Sequence, residues 1–452
     1  MTDRFIENIR SIRKKNISPE VWHHARRALI DYLCVTIAGA KVFREKELAY
    51  LDSLCEDGDT TIFGLNRKAS MQTAALLNGM SAHVAELDDG HRQGALHVGA
   101  TVFSALLPMA EHEHFTSEDL LYGAIIGYET TVRLACSVQP GNKLRGYHAT
   151  GTCGTIGAAL GIAAALHQNF EQMKTTLSAA ATSAAGLLEM QEDDSDLKPY
   201  NVGRAAMDAV VAAYMGMAGF KAPDDALGGK RGFLRVMTDN PKTEYITDFS
   251  AETPLAITQV YRKAYASCRH THSAIEAAIV LKQQYGFAVE NICKVNVETY
   301  KLAVAGHDHT DIKGVSSAKM SMPFCVALAL SIGSAGMQDF SERNVADEQI
   351  LELTKKVSVK ENEMLSACVP DKRAAILHVE MKDGIVYSQQ VDYPKGEPEN
   401  PMSDEELEQK FMSLAMSAGV KSETCEYVLQ QVLDSDFSIG EIVLVLNKEV
   451  LC

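Results

Sequence analysis

The sequence predicts a mainly α protein. A large all-helical domain would be formed by residues 1–265 with 400–452, and a smaller α+β domain by residues 266–399. Three observations predict it. Apolar residues recur at helical spacing through the first half, behind recognisable cap residues. After about residue 265 the period changes to two. Finally, Lys382-Asp-Gly384 joins two alternating runs, which is a hairpin signal. At 452 residues the chain also exceeds what one hydrophobic core usually serves.

The elements follow in order. Ser18-Pro19-Glu20 combines an N-cap oxygen, a proline at the first helical position and a carboxylate in the positive first turn. Val21, Ala25, Leu29, Tyr32 and Leu33 then continue a helix to about Gly39. Further helices fit 70–84, 100–113 and 117–135. Ala- and Gly-rich helices are expected at 155–167, 171–187 and 203–218, where small residues permit close helix packing and Gly219 supplies a stop. Strands are expected at 295–301, 375–381 and 385–391, with helices at 273–285 and 323–334. The Pro- and Gly-rich stretch 393–402 reads as a loop, and Ser403-Asp-Glu-Glu opens C-terminal helices that rejoin the first domain.

Composition narrows the function. Lys+Arg 43 against Asp+Glu 59 gives a net charge of −16, which argues against nucleic-acid and anionic-membrane partners. No apolar run is long enough to span a bilayer, and the charged segment Met1–Ser11 lacks a signal-peptide core. The 10 Cys form no CxxC pair and no cluster-like group, so neither an iron–sulfur cofactor nor a disulfide framework is expected, and a cytoplasmic location is.

Four short segments concentrate the polar chemistry. In 86–97, Asp88, Asp89, His91, Arg92 and His97 surround Gly90 and Gly94; the alternatives are a substrate loop, a polar surface loop, or a metal site, against which the spacing argues. In 145–154, Arg145 and His148 precede glycines at a helix start, where backbone N–H groups suit a carboxylate. In 198–206, Lys198 and Arg204 flank another helix start, whereas the acidic run 191–196 reads as a solvated loop. In 267–272, Arg269, His270 and His272 precede a helix; two residues apart in extended chain, the two histidines would share a pocket, or form a surface pair. His307-Asp-His309 reads as an exposed loop.

These segments, in this order, resemble the MmgE/PrpD family, which includes 2-methylcitrate dehydratase, cis-aconitate decarboxylase and iminodisuccinate epimerase. The resemblance takes in the acidic loop 86–97, Gly146-Tyr-His-Ala-Thr-Gly-Thr-Cys-Gly154, Gly203-Arg-Ala-Ala206, Cys268-Arg-His-Thr-His272, Ser321-Met-Pro-Phe-Cys-Val-Ala327 and the segment from Pro394 to Leu407. It implies a large helical domain with a smaller α+β lid, a homodimer, no cofactor and no metal, and a polycarboxylate held between the domains. His97, His148 and His272 match the family's histidines and become the expected catalytic groups. Asp88, Asp89, His91, Arg92, Arg145, Lys198, Arg204, Arg269 and His270 become the expected substrate contacts.

Three positions depart from the decarboxylase-like members. Where those carry Asp-Phe-Asp-Asp-Thr, this chain has Glu86 at the first position and Gly90 at the last, and their Lys after the Ala-Ala pair aligns with Met207. A thioether replaces an ammonium there. The expectation is therefore a cofactor-free lyase, of dehydratase or decarboxylase type, that removes a proton alpha to a carboxylate. The alternatives are an epimerase of a dicarboxylate, a non-catalytic acid-binding protein, and a metal hydrolase.

Overall fold

The computed structural model describes residues 1–191, 195–249, 253–433 and 436–449. Its helices of ten residues or more begin with α1 Thr2–Ser11, α2 Pro19–Leu54, α3 Met71–Val84 and α4 Gly99–His112. They continue with α5 Ser117–Val138, α6 Ala149–Ala165, α7 Phe170–Ser183 and α8 Lys198–Met217. Next come α9 His272–Tyr285 and α10 Met322–Ile332, then α11 Asp404–Ser417, α12 Ser422–Leu433 and α13 Ile439–Glu449. The chain divides into two compact units, Met1–Val260 with Ser403–Cys452, and Tyr261–Met402.

The first unit is a helical bundle. Ser18 Oγ accepts from the Val21 amide and Pro19 starts α2, as its sequence dictates. The helix does not stop at Gly39, as the pattern suggested, but runs to Leu54. A Cβ at Gly39 would lie 1.8 Å from the Ser81 carbonyl oxygen, so this glycine serves close approach of α2 to α3 rather than termination. Gly79 and Gly203 act likewise between α3 and α8: a Cβ on Gly79 would sit 2.6 Å from the Gly203 Cα. Helix α5 packs on α6, and α8 lies against both α3 and α6. The unit is not wholly helical, because the strands β1 Thr60–Ile62 and β2 Arg67–Ala69 form a short antiparallel pair.

Helix α8 begins at Lys198, earlier than expected, because Pro199 occupies its first turn without needing an amide partner. Gly219, at φ +77, ends the bundle's Ala-rich run as read. Of the acidic run, residues 192–194 lie outside the described residues, and Asp196 pairs with Lys46. Ser403 and Glu406 close a reciprocal capping box at the start of α11, worth about 1 kcal/mol. Helix α11 packs on α2, where Lys410 Nζ meets Asp31 Oδ1 at 2.7 Å. Among the described residues no helix is long and apolar enough to cross a membrane.

The second unit carries a four-stranded sheet: β3 Ile292–Thr299, β4 Val357–Glu361, β5 Ala375–Met381 and β6 Val386–Val391, in the order β4-β3-β5-β6. The pair β5–β6 is the antiparallel hairpin expected from Lys382-Asp-Gly384, with Gly384 at φ +86. Strand β4, parallel to β3, escaped the sequence reading because its five residues are only partly buried and show no clean alternation. Helices α9 and α10 pack together, α9 also on β5 and β6.

Candidate active site

The first unit gathers three of the four polar segments around one buried carboxylate. Helix α3 ends at Val84, and Glu86 takes a left-handed conformation, φ +57, where glycine is the usual residue. That turn returns the chain so that Asp88, 1% exposed, meets His83 in the last turn of α3. Asp88 Oδ2 lies 2.8 Å from His83 Nδ1 and 3.1 Å from His97 Nδ1. His97 Nδ1 also lies 2.8 Å from the Asp89 carbonyl oxygen.

These distances settle the tautomer of His97. A carbonyl oxygen only accepts, so Nδ1 of His97 carries a proton, and Nε2 takes part in none of these contacts. Burial alone would raise the Asp88 pKa, but the His83 and His97 imidazoles and their hydrogen bonds outweigh it and hold the carboxyl far below its usual range. His83 is fully buried, and that burial depresses its pKa more than Asp88 raises it. A neutral imidazole donating Nδ1–H to an ionised Asp88 satisfies both.

His148, the residue before α6, sits in the same cluster: its ring centroid is 6.0 Å from that of His83, which is 4.7 Å from His97. Burial, then His83, Lys198 and His97, hold His148 well below the ordinary value of 6.5, so it is neutral at pH 7. The His97 amide donates to Thr150 Oγ1 at 3.1 Å, joining segment 86–97 to segment 145–154. Lys198, at the start of α8, pairs with Glu86 and brings in the third segment. His83 Nε2, Asp88 Oδ1 and His148 Nδ1 are buried without hydrogen-bond partners, a costly arrangement that collects at functional sites.

The donor atoms of His83, Asp88 and His97 lie within 4.8 Å of one another, a spacing open to a metal ion. Their chemistry fits protons better, because His97 Nδ1 faces two oxygen acceptors and would have to abandon both to present a lone pair. His83 was not among the residues picked out by sequence. Its signal was available: a histidine in the last turn of an apolar helix, directly before the acidic loop.

The other expected contacts also have partners within the chain. Asp89 caps α4, accepting from the Gly99 amide at 2.8 Å and from Tyr128 Oη at 2.6 Å. His91, buried, accepts the Gly94 amide at 3.1 Å within the turn, and Arg92 is partly buried there. The segment is thus no surface loop. Arg145 lies on the outside, bonded to the Val236 carbonyl and to Asp239 at 2.5 Å. Arg204, inside α8 rather than at its start, bonds Asp208 at 2.6 Å and the Ser183 carbonyl.

Segment 267–272 belongs to the second unit and is not extended. Arg269–Thr271 forms a turn of 3₁₀-helix that continues into α9, so residues two apart diverge instead of facing one way. Arg269, 5% exposed, donates from Nη2 to Glu397 at 2.6 Å and from Nη1 to His272 Nδ1 at 2.8 Å. His272 Nε2 meets the Ser267 carbonyl oxygen at 3.2 Å, so both ring nitrogens are engaged. His270 instead meets Tyr300 Oη at 2.6 Å. His307 is buried, not exposed as read, with Nδ1 2.8 Å from the Met320 carbonyl oxygen.

Met207 stands with Leu48 and Met80 against an apolar cluster that includes Leu51, Ile62 and Leu76. Its thioether is part of the packing of α8.

Comparison with known proteins accords with this arrangement. The MmgE/PrpD N-terminal domain matches residues 3–246, and the MmgE/PrpD C-terminal domain matches residues 265–435. The cis-aconitate decarboxylase-like protein oryM of Aspergillus oryzae is 25% identical over 98% of this chain and 96% of its own. The cis-aconitate decarboxylase of Aspergillus terreus is 24% identical over 91% of this chain and 88% of its own. The human cis-aconitate decarboxylase is 23% identical over 92% and 88%. With both domains matched in order, the chain belongs to the MmgE/PrpD family, as a distant relative of cis-aconitate decarboxylases.

Proposed function

We propose that this protein is a lyase that acts on a small di- or tricarboxylate, removing a proton alpha to a carboxylate with His97 as the base and without an added cofactor. The observation that carries this reading is the bond between ionised Asp88 and His97 Nδ1, which leaves Nε2 as a lone pair of fixed direction. The Cα–H bond breaks, its proton passes to His97 Nε2, and its electron pair enters the adjacent carboxylate as an enolate. The imidazolium keeps its Nδ1–H on Asp88, whose negative charge offsets the new positive one. The enolate pair then expels a β-hydroxyl, which leaves as water with the proton that His97 holds.

Lys198 and the neutral His148 support the developing negative charge, the first through its field and the second through an N–H. Gly90 brings no hydroxyl and Met207 no ammonium, so elimination is favoured over decarboxylation of cis-aconitate. Epimerisation shares the first step. It is favoured by the second imidazole, His148, whose unpartnered Nδ1 would return the proton on the other face.

The test is α-proton exchange in D₂O across a panel of citrate-like acids, with chelator-treated protein. Exchange with loss of water supports the lyase, and exchange with inversion supports the epimerase. A thermal shift with such acids but no exchange would overturn both and leave an acid-binding protein.

A further inference from the structure

Cys268, outside the histidine cluster of the first unit, is set against His307 within the second. Its Sγ lies 3.7 Å from His307 Nε2. The other nitrogen of that ring, Nδ1, donates to the Met320 carbonyl 2.8 Å away, so Nε2 is the nitrogen that can take the thiol proton. The cysteine itself is fixed, its amide donating to the Lys319 carbonyl at 3.0 Å. It also occupies the residue before the turn Arg269–Thr271 that runs into α9, and the His270 amide points at its sulfur. It forms no disulfide and is half-buried, whereas Cys34, Cys136, Cys153 and Cys325 are buried.

We propose that Cys268 and His307 form a thiolate–imidazolium pair, making Cys268 a site, beside the exposed Cys55, Cys293 and Cys368, at which small uncharged electrophiles modify this protein covalently. The thiol proton moves to His307 Nε2. The sulfur pair then forms an S–C bond to the electrophilic carbon, and the leaving group departs with the electrons of its own bond.

The surroundings agree. Burial pushes the thiol up, but His307, the His270 amide and Lys263 outweigh it and bring it from 9.0 down to about 7. Tyr300 and Cys325 lie within the electrostatic reach of Cys268, and burial holds both protonated. Arg269, Arg373 and Glu397 act on Tyr300 from its other neighbours.

The full chain is treated with iodoacetamide between pH 6 and pH 9, with a cysteine-containing peptide as internal reference, and each cysteine is quantified by peptide mapping. Limited access to Cys268 is constant across pH and cancels from the trend. A midpoint near 7, against about 8.5 for an ordinary thiol, predicts that the Cys268-to-peptide rate ratio falls by about 20-fold from pH 6 to pH 9. A flat ratio overturns the proposal. His307→Gln should flatten it while Cys34, Cys153 and Cys325 stay unlabelled, and an unchanged profile in that folded variant equally overturns the pairing. Should the variant label those buried thiols and so prove misfolded, the wild-type profile alone decides.

Discussion

His97 Nδ1 stands 3.1 Å from Asp88 Oδ2, and that carboxylate is buried. The same oxygen accepts from His83 at 2.8 Å. One buried charge thus holds two rings in one tautomer, with the preorganisation that a general base needs and that a surface histidine lacks. On the proposed mechanism Asp88 acts through His97, as a positioning residue.

Asp88→Asn should lower kcat by about 10²–10⁴-fold, because the amide can turn its NH₂ toward His97 and stabilise the wrong tautomer. KM should change by only a few-fold. A fall in kcat without a matching rise in KM is what a positioning role gives and a purely structural role would not. Steady-state kinetics measure both, and a KM that rises as steeply as kcat falls would remove Asp88 from the mechanism.

His97→Gln and His148→Gln separate the two imidazoles. The first should abolish α-proton exchange to within about 10²-fold of background. The second should slow turnover but retain exchange if His148 serves the later step. Loss of exchange in both variants would instead make the two a single unit.

Much of this was legible in the sequence because it rests on local rules. Ser18-Pro19, the capping box at Ser403 and the Asp-Gly hairpin are signals a few residues long. The first-unit site was legible as three segments, but not as a geometry. His83 was missed although it stands directly before the acidic loop, because only the left-handed turn at Glu86 brings Asp88 back beneath it. The arginines show the converse. A guanidinium at a helix start reads as an anion site, yet Arg145, Arg204 and Arg269 meet Asp239, Asp208 and Glu397, residues 94, 4 and 128 positions away. Only the short one of those separations could be read along the chain.

Lys410 links the C-terminal helix α11 to the acidic loop. Its Nζ bonds Asp31 Oδ1 at 2.7 Å and the Leu87 carbonyl at 2.9 Å, with both side chains nearly inaccessible. Lys410→Met should leave Asp31 buried and unpaired and cost about 3–5 kcal/mol, measured by denaturant unfolding. Since Leu87 precedes Asp88, activity should fall as well. Asp31→Asn in the same background should recover part of the stability, which tells a stranded charge from lost packing.

Stability should fall on the acid side for a definite reason. His83 and His148 have depressed pKa values in the folded chain, so below about 6.5 the unfolded chain binds protons that the folded one refuses. Stability is therefore full above that pH and declines as pH drops from 6.5. The Asp88 contribution, from a carboxyl held far below its ordinary 3.8, is lost only at much lower pH. Thermal unfolding from pH 7.5 to 5 should show the decline, and His148→Gln should make it shallower. An equal slope in that variant would assign the acid sensitivity elsewhere.

Met207 offers a last test of what this chain has given up. Were it merely a lost catalytic lysine in an otherwise intact decarboxylase site, Met207→Lys would restore release of CO₂ from cis-aconitate. Its packing with Leu48 and Met80 against the apolar cluster predicts otherwise. An ammonium at that position would have to be desolvated or displaced outward, at a cost of about 1–3 kcal/mol, whereas Met207→Leu should cost under about 1.5. The expected result is a lowered Tm for the lysine variant, little change for leucine, and no CO₂ from either. Release of CO₂ by Met207→Lys would show instead that the side chain reaches the histidine cluster, and that the departure at this position is what separates this protein from its decarboxylase relatives.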